Sequence, residues 1–215
     1  MSTCIIIGAG DFSEAEIPVG NEDYVIAADG GYRYCKQLRI EPDYILGDMD
    51  SIGLDVKTEI EIFQKEHPDQ VKILPCMKDD TDMMSAIRIG LEKGYKKFVL
   101  YGAMGGRLEH TIANIQCLIY LKNHGASGSM VEKGRTVMIA QNETIHFQKE
   151  KEGFFSMFAL QQRAEGVTIR GMKYPLNDAV LTDEFPIGIS NEFIGEAAEI
   201  TVAKGKVLLI LSDFT

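Results

Sequence analysis

A chain of 215 residues with a formal net charge of −10 is poorly suited to nucleic acid, whose phosphate backbone is held by clustered Lys and Arg. Hydrophobic residues make up 45% and charged residues 25%, the balance of a globular protein with ample material for a core. No run of about 18 apolar residues predicts a membrane span, and MSTCIIIGAG lacks the basic start of a signal peptide.

The first half alternates strand and helix. Short, almost continuously apolar runs at 4–8, 24–28, 44–46, 71–74 and 98–101 predict strands buried on both faces. A helix is expected over 81–93, with Met84, Ile87 and Leu91 on one face and Gly94 as its stop. A second is expected over 108–124, with Leu108, Ile112, Ile115 and Ile119 at helical spacing before Gly125. This pattern is that of a doubly wound, mostly parallel α/β domain. Beyond Gly125 the helical period gives way to short β-type runs at 144–147, 154–160, 167–169 and 207–211, punctuated by glycines. Lys204-Gly205, between two such runs, predicts a hairpin. The second half is therefore expected to be an all-β sandwich, with domains at 1–127 and 128–215. Cys4, Cys35, Cys76 and Cys117 are scattered without CxxC spacing, as buried free thiols in a reducing cytoplasm would be.

Aspartates fall where the first-half strands end: Asp29 before Gly30-Gly31, Asp48 and Asp50 in LGDMDS, and Asp79, Asp80 and Asp82 in KDDTD. In a parallel α/β sheet the strand carboxyl ends share one edge, and ligands bind there. Carboxylates gathered at one edge repel unless a cation sits among them, and hard oxygen donors suit Mg²⁺ bridged to substrate phosphates. Asp48 and Asp50, one residue apart in extended chain, point the same way. Asp82 opens a helix whose free N–H groups can receive phosphate, with Thr81 beside it. The loop GAMGGR, 102–107, lets backbone amides approach a phosphate and adds the guanidinium of Arg107; Lys78 is a second candidate cation. Gly8-Ala9-Gly10 lacks the third glycine of a dinucleotide fingerprint, so a tight strand-end turn is the better reading.

Taken together, ADGG (28–31), PDYILGDMDSI (42–52), KDDTD (78–82), GAMGGRLEHTIANI (102–115) and GISNEF (188–193) resemble, in order and spacing, the motifs of thiamine pyrophosphokinases. The resemblance implies an α/β domain followed by a β-sandwich, and the reaction ATP + thiamine → AMP + thiamine diphosphate. It implies that Asp48, Asp50 and Asp82 hold Mg²⁺ with Asp79 close by, that Asp29 lines the same crevice, and that Lys78, Thr81, Asp82 and Arg107 bind the phosphates of ATP. Ser190, Asn191 and Phe193 would contact thiamine, the Phe193 ring lying on the cationic heterocycle. Asp29, Asp50, Arg107 and Glu109 are the expected catalytic groups; Asp29 and Glu109 are both candidates to accept the hydroxyl proton. The family usually has Asp where Glu109 stands, and some members have Trp in place of Phe193. Its members pair the α/β domain of one subunit with the sandwich of another, which implies a homodimer with shared sites. The alternatives are another Mg²⁺-dependent phosphotransferase or phosphohydrolase, or a non-catalytic thiamine or nucleotide sensor.

Overall fold

The computed structural model describes residues 2–12, 16–49, 53–75 and 79–214. The chain divides into two compact units, Met1–Lys133 and Gly134–Thr215. Among the described residues no helix is long and apolar enough to cross a membrane.

The first unit runs β1 (Cys4–Ile7), β2 (Tyr24–Ala28), α1 (Gly31–Leu38), β3 (Tyr44–Gly47), α2 (Leu54–Glu66), β4 (Val71–Ile73), α3 (Asp82–Glu92), β5 (Lys97–Tyr101), α4 (Leu108–Asn123) and β6 (Ser127–Glu132). Its strands lie in the order β6-β5-β1-β2-β3-β4, every neighbouring pair parallel. The chain builds outward from β1 through β2, β3 and β4, then returns to place β5 on the other side of β1. That reversal makes the β1/β5 boundary a topological switch point, where the loops beyond the strands leave room for a ligand. Cys4, Ile5, Ile6 and Ile7 are all buried, as the apolar run demands of a central parallel strand.

Both predicted helices form, with the buried stripe shifted from the expected face in each; on α3 the expected Ile87 is buried. α3 is capped by Thr81, whose hydroxyl accepts from the Met84 N–H at 3.1 Å. It buries Met83, Ala86, Ile87 and Gly90 in place of Met84 and Leu91. α4 buries Asn114, Cys117, Leu118 and Leu121, while Leu108 and Ile112 remain 71% and 52% exposed. Apolar residues surround much of α4, so helical period alone does not say which stripe meets the sheet.

The second unit is a pair of antiparallel sheets built from β7 (Arg135–Gln141), β8 (Thr144–Phe147), β9 (Phe154–Ala159), β10 (Arg163–Arg170), β11 (Leu176–Thr182), β12 (Asn191–Glu192), β13 (Ala198–Lys204) and β14 (Lys206–Ser212). One sheet has the order β12-β9-β14-β7 and the other β11-β10-β13-β8. Phe155, Met157, Val167, Ile169, Ile200, Val202, Val207 and Leu209 fill the space between them. The expected hairpin at Lys204-Gly205 does not exist. β13 pairs with β10 and β8, whereas β14 pairs with β7 and β9, so the chain changes sheet at Gly205. One intervening residue is too short for the two-residue hairpin loop, and at φ 113° Gly205 turns the chain between layers instead.

Candidate active site

The loops leaving the carboxyl ends of β1 to β5 surround a cleft of about 460 Å³ in the first unit. Asp29, Asp48, Asp80, Thr81, Asp82 and Arg107 all line it, together with the glycines of the loops after β1 and β5. The parallel sheet brings them together: in the chain they are spread from residue 29 to residue 107.

The ends of β2 and β3 are cross-tied. The Asp29 N–H donates to the Leu46 carbonyl at 2.7 Å, and Asp29 holds a left-handed φ of 50°. Aspartate tolerates that region better than most residues. Gly47, at φ 153°, lies so close that a Cβ there would stand 2.9 Å from the Asp29 Cα. Met49 is also left-handed, φ 59°, and is buried. Strand alternation therefore stops at Gly47, so the extended chain on which a like orientation of Asp48 and Asp50 rests is not found at Met49. Asp48 lines the cleft on its own account. Asp50 and Lys78 lie outside the described residues.

In the loop between β4 and α3, Asp82 opens the helix and Thr81 caps it. Asp80 faces the cleft and is ion-paired with Arg88 of α3. Asp79 lines a neighbouring hollow with Lys72 and Arg88. The loop after β5 is clamped to the loop after β1. Gly8 N–H donates to the Tyr101 carbonyl at 2.8 Å, Gly10 N–H to Gly102 at 2.8 Å and Asp11 N–H to Met104 at 3.1 Å. The Arg107 Nε donates to Glu109 Oε1 at 2.7 Å, and the same oxygen lies 2.7 Å from its Nη2. The Glu109 carboxyl is held below the usual range, first by its own backbone N–H and then by Arg107.

Two residues of this site escaped the sequence reading. Asp11 accepts the Gly106 N–H at 2.9 Å on Oδ2. Buried Asn114 donates from Nδ2 to the Ala103 carbonyl at 2.7 Å, fixing the middle of the glycine loop. Asp11 carried the same signal as Asp29, an aspartate just past a strand end. Asn114 lies inside the 102–115 motif, yet taken by itself an amide in a helical run reads as an ordinary surface residue.

Among the described residues no three His, Cys, Asp or Glu converge as a closed metal cage. The carboxylates that line the cleft are nevertheless hard oxygen donors, and Mg²⁺ usually takes one or two carboxylates, water and substrate phosphates. The residues present fit that mode of binding.

In the second unit the GISNEF segment, 188–193, contains β12. Ser190 is exposed at φ 57°, its N–H donating to Ser156 Oγ at 3.1 Å. Asn191 is 3% exposed; its amide accepts from the Tyr174 N–H at 2.9 Å and donates to the Tyr174 carbonyl at 2.8 Å. Phe193 is 5% exposed, its ring edge-on to Phe147 at 5.4 Å and to Phe155 at 6.4 Å. The Asn191 amide and the Phe193 ring thus both make contacts within the sandwich.

Comparison with known proteins agrees with this architecture. Residues 18–127 match the thiamin pyrophosphokinase catalytic domain, and residues 142–207 match the thiamin pyrophosphokinase vitamin B1 binding domain. The thiamine pyrophosphokinase of Bacillus subtilis (strain 168) is 28% identical over 188 residues, covering 87% of this chain and 86% of its own. A crystal structure of thiamine pyrophosphokinase from Bacillus subtilis superposes with a TM-score of 0.86 at 25% identity, over 100% of both chains. The yeast thiamin pyrophosphokinase shares the fold, with a TM-score of 0.75 at 14% identity, over 99% of this chain and 86% of its own. With both family domains matched in order along most of its length, this chain belongs to the thiamine pyrophosphokinase family.

Proposed function

We propose that this chain transfers the pyrophosphoryl group of ATP to the hydroxyl of thiamine, giving thiamine diphosphate and AMP. One observation carries the reading: the cleft at the strand ends gathers Asp29, Asp48 and Asp82 opposite a glycine loop that ends in Arg107. Asp48 and Asp82 would hold Mg²⁺, with Asp50 as the next carboxylate of the β3 loop. When bound there, the metal neutralises triphosphate charge and orients its oxygens. The α3 N-terminus capped by Thr81 and the backbone amides of the glycine loop receive phosphate oxygens. Arg107, turned from Glu109 onto the transferred group, offsets charge that grows as AMP leaves. Asp29 accepts the proton of the attacking hydroxyl, with Glu109 as its alternative.

Thiamine is held by the 190–193 segment. Ser190 offers its side chain, while Asn191 and Phe193 keep the segment in place. The working unit is a homodimer in which this segment comes from a second copy. The 71% and 52% exposed Leu108 and Ile112 on α4 support association, because water gains when such side chains are covered. A reducing cytoplasm is the proposed location.

The test is incubation of the pure protein with thiamine, ATP and Mg²⁺, followed by separation of the nucleotides. AMP and thiamine diphosphate in equal amounts are expected. ADP with thiamine monophosphate would instead identify a monophosphate kinase, and thiamine binding without turnover a sensor.

A further inference from the structure

Gly105 and Gly106 stand at φ 77° and 59° in the turn after β5, and successive N–H groups of a turn can form an anion-binding concavity. In the free protein an anion already sits on Gly106: the Asp11 carboxylate, which accepts its N–H. Its position is fixed from several sides. The Asp11 N–H is bonded to the Met104 carbonyl, the Gly10 carbonyl accepts from the Tyr34 hydroxyl at 3.0 Å, and Phe12 stacks on Tyr34 at 4.4 Å. A Cβ on Gly105 would come 2.4 Å from Asp11 Oδ2, so the carboxylate and the glycine loop are packed together.

We infer that Asp11 selects for nucleotide whose charge is offset by metal, an inference that rests on the proposed use of the loop for ATP. A phosphate oxygen that takes the Gly106 N–H must displace the Asp11 carboxylate, which stays tethered beside it. Two anions at that range repel, and more strongly as the cleft loses water. Metal-free ATP carries its full charge into this contact, whereas ATP complexed with Mg²⁺ brings its own compensation. Asp11 therefore lowers the affinity of the loop for uncomplexed nucleotide and leaves the metal complex little affected.

The experiment is calorimetric binding without thiamine at fixed ionic strength, using ATP in EDTA and ATP with excess Mg²⁺. Asp11→Asn keeps an oxygen for the Gly106 N–H and removes the charge; Asp11→Ala removes both. Each variant is expected to bind metal-free ATP about tenfold more tightly than the parent and the Mg²⁺ complex within about twofold. Thermal melting checks that both variants fold. If either folded variant binds metal-free ATP no better than the parent, or binds both forms more weakly, Asp11 is a strut of the loop and the inference is wrong. If the parent binds ATP in neither form, the proposed use of the cleft falls first and the inference falls with it.

Discussion

Replacing Phe193 with Ala separates a core role from a ligand-stacking role. The ring is 5% exposed and lies against Phe147 and Phe155 between the two sheets. A buried phenylalanine removes roughly 150–250 Å² from water, and at about 25 cal/mol per Å² its loss is worth about 4–6 kcal/mol as an upper bound. Alanine keeps the Cβ and the unfolded chain already shields part of the ring, so with the cavity term added the expected loss is about 3–5 kcal/mol. Phe193→Leu keeps most of the volume and should cost under about 1.5 kcal/mol. Urea unfolding of parent and both variants measures these differences directly, and steady-state assays of Phe193→Leu add the second reading. That variant should keep the thiamine KM within about twofold, because an apolar side chain still holds the 190–193 segment. A loss below about 1 kcal/mol in Phe193→Ala, or a thiamine KM raised tenfold in a stable Phe193→Leu, would refute the core assignment.

Asp48→Asn and Asp82→Asn should each lower turnover by at least about a hundredfold, with Asp50→Asn behaving alike. Unfolding midpoints should hold or rise as like charges are removed, and near-normal turnover at saturating Mg²⁺ would sink the metal assignment. Leu108→Glu with Ile112→Glu should leave the fold intact and shift light-scattering mass to that of one chain; a parent already monomeric, or a variant still dimeric, counts against α4 as the joining face. Burial, reinforced by Asp43, pushes the Cys4 thiol from its usual 9.0 up to about 12, and burial pushes Cys35 to about 12. Cys117 rises to about 11, through burial and then the charge of Asp80. Between about pH 9 and 12 the unfolded chain releases these protons while the folded chain retains them, so stability should fall as pH rises through that window. Urea midpoints flat from pH 8 to 11 would contradict the buried neutral thiols, as would fast labelling of Cys4, Cys35 or Cys117 by a thiol reagent at pH 8.

The strands that carry the cleft were legible because a parallel strand buried on both faces must be apolar throughout, and an Asp or Gly right after such a run stands out. Hence 24–28, followed by Asp29, and 44–46, followed by Gly47 and Asp48, could be placed on one edge from the sequence alone. The start of α3 was equally readable, since Thr81 before Asp82 is a capping pattern that acts locally. The period change after Gly125 announced the sandwich, because alternation and helical spacing bury different residues.

Other features depended on partners distant in the chain. Leu108-Ile112 and Leu118-Leu121 are both apolar pairs on α4, and only packing against the sheet decides which one is covered. β13 and β14 are separated by one glycine and look like a hairpin, yet each finds its hydrogen bonds in a different sheet. Phe193 packs against Phe147 and Phe155, which only the folded sandwich brings beside it. Asp11 meets Gly106 across a separation of 95 residues. Local sequence sets propensity and period within a few residues, but burial and pairing belong to contacts that exist only once the chain has closed on itself.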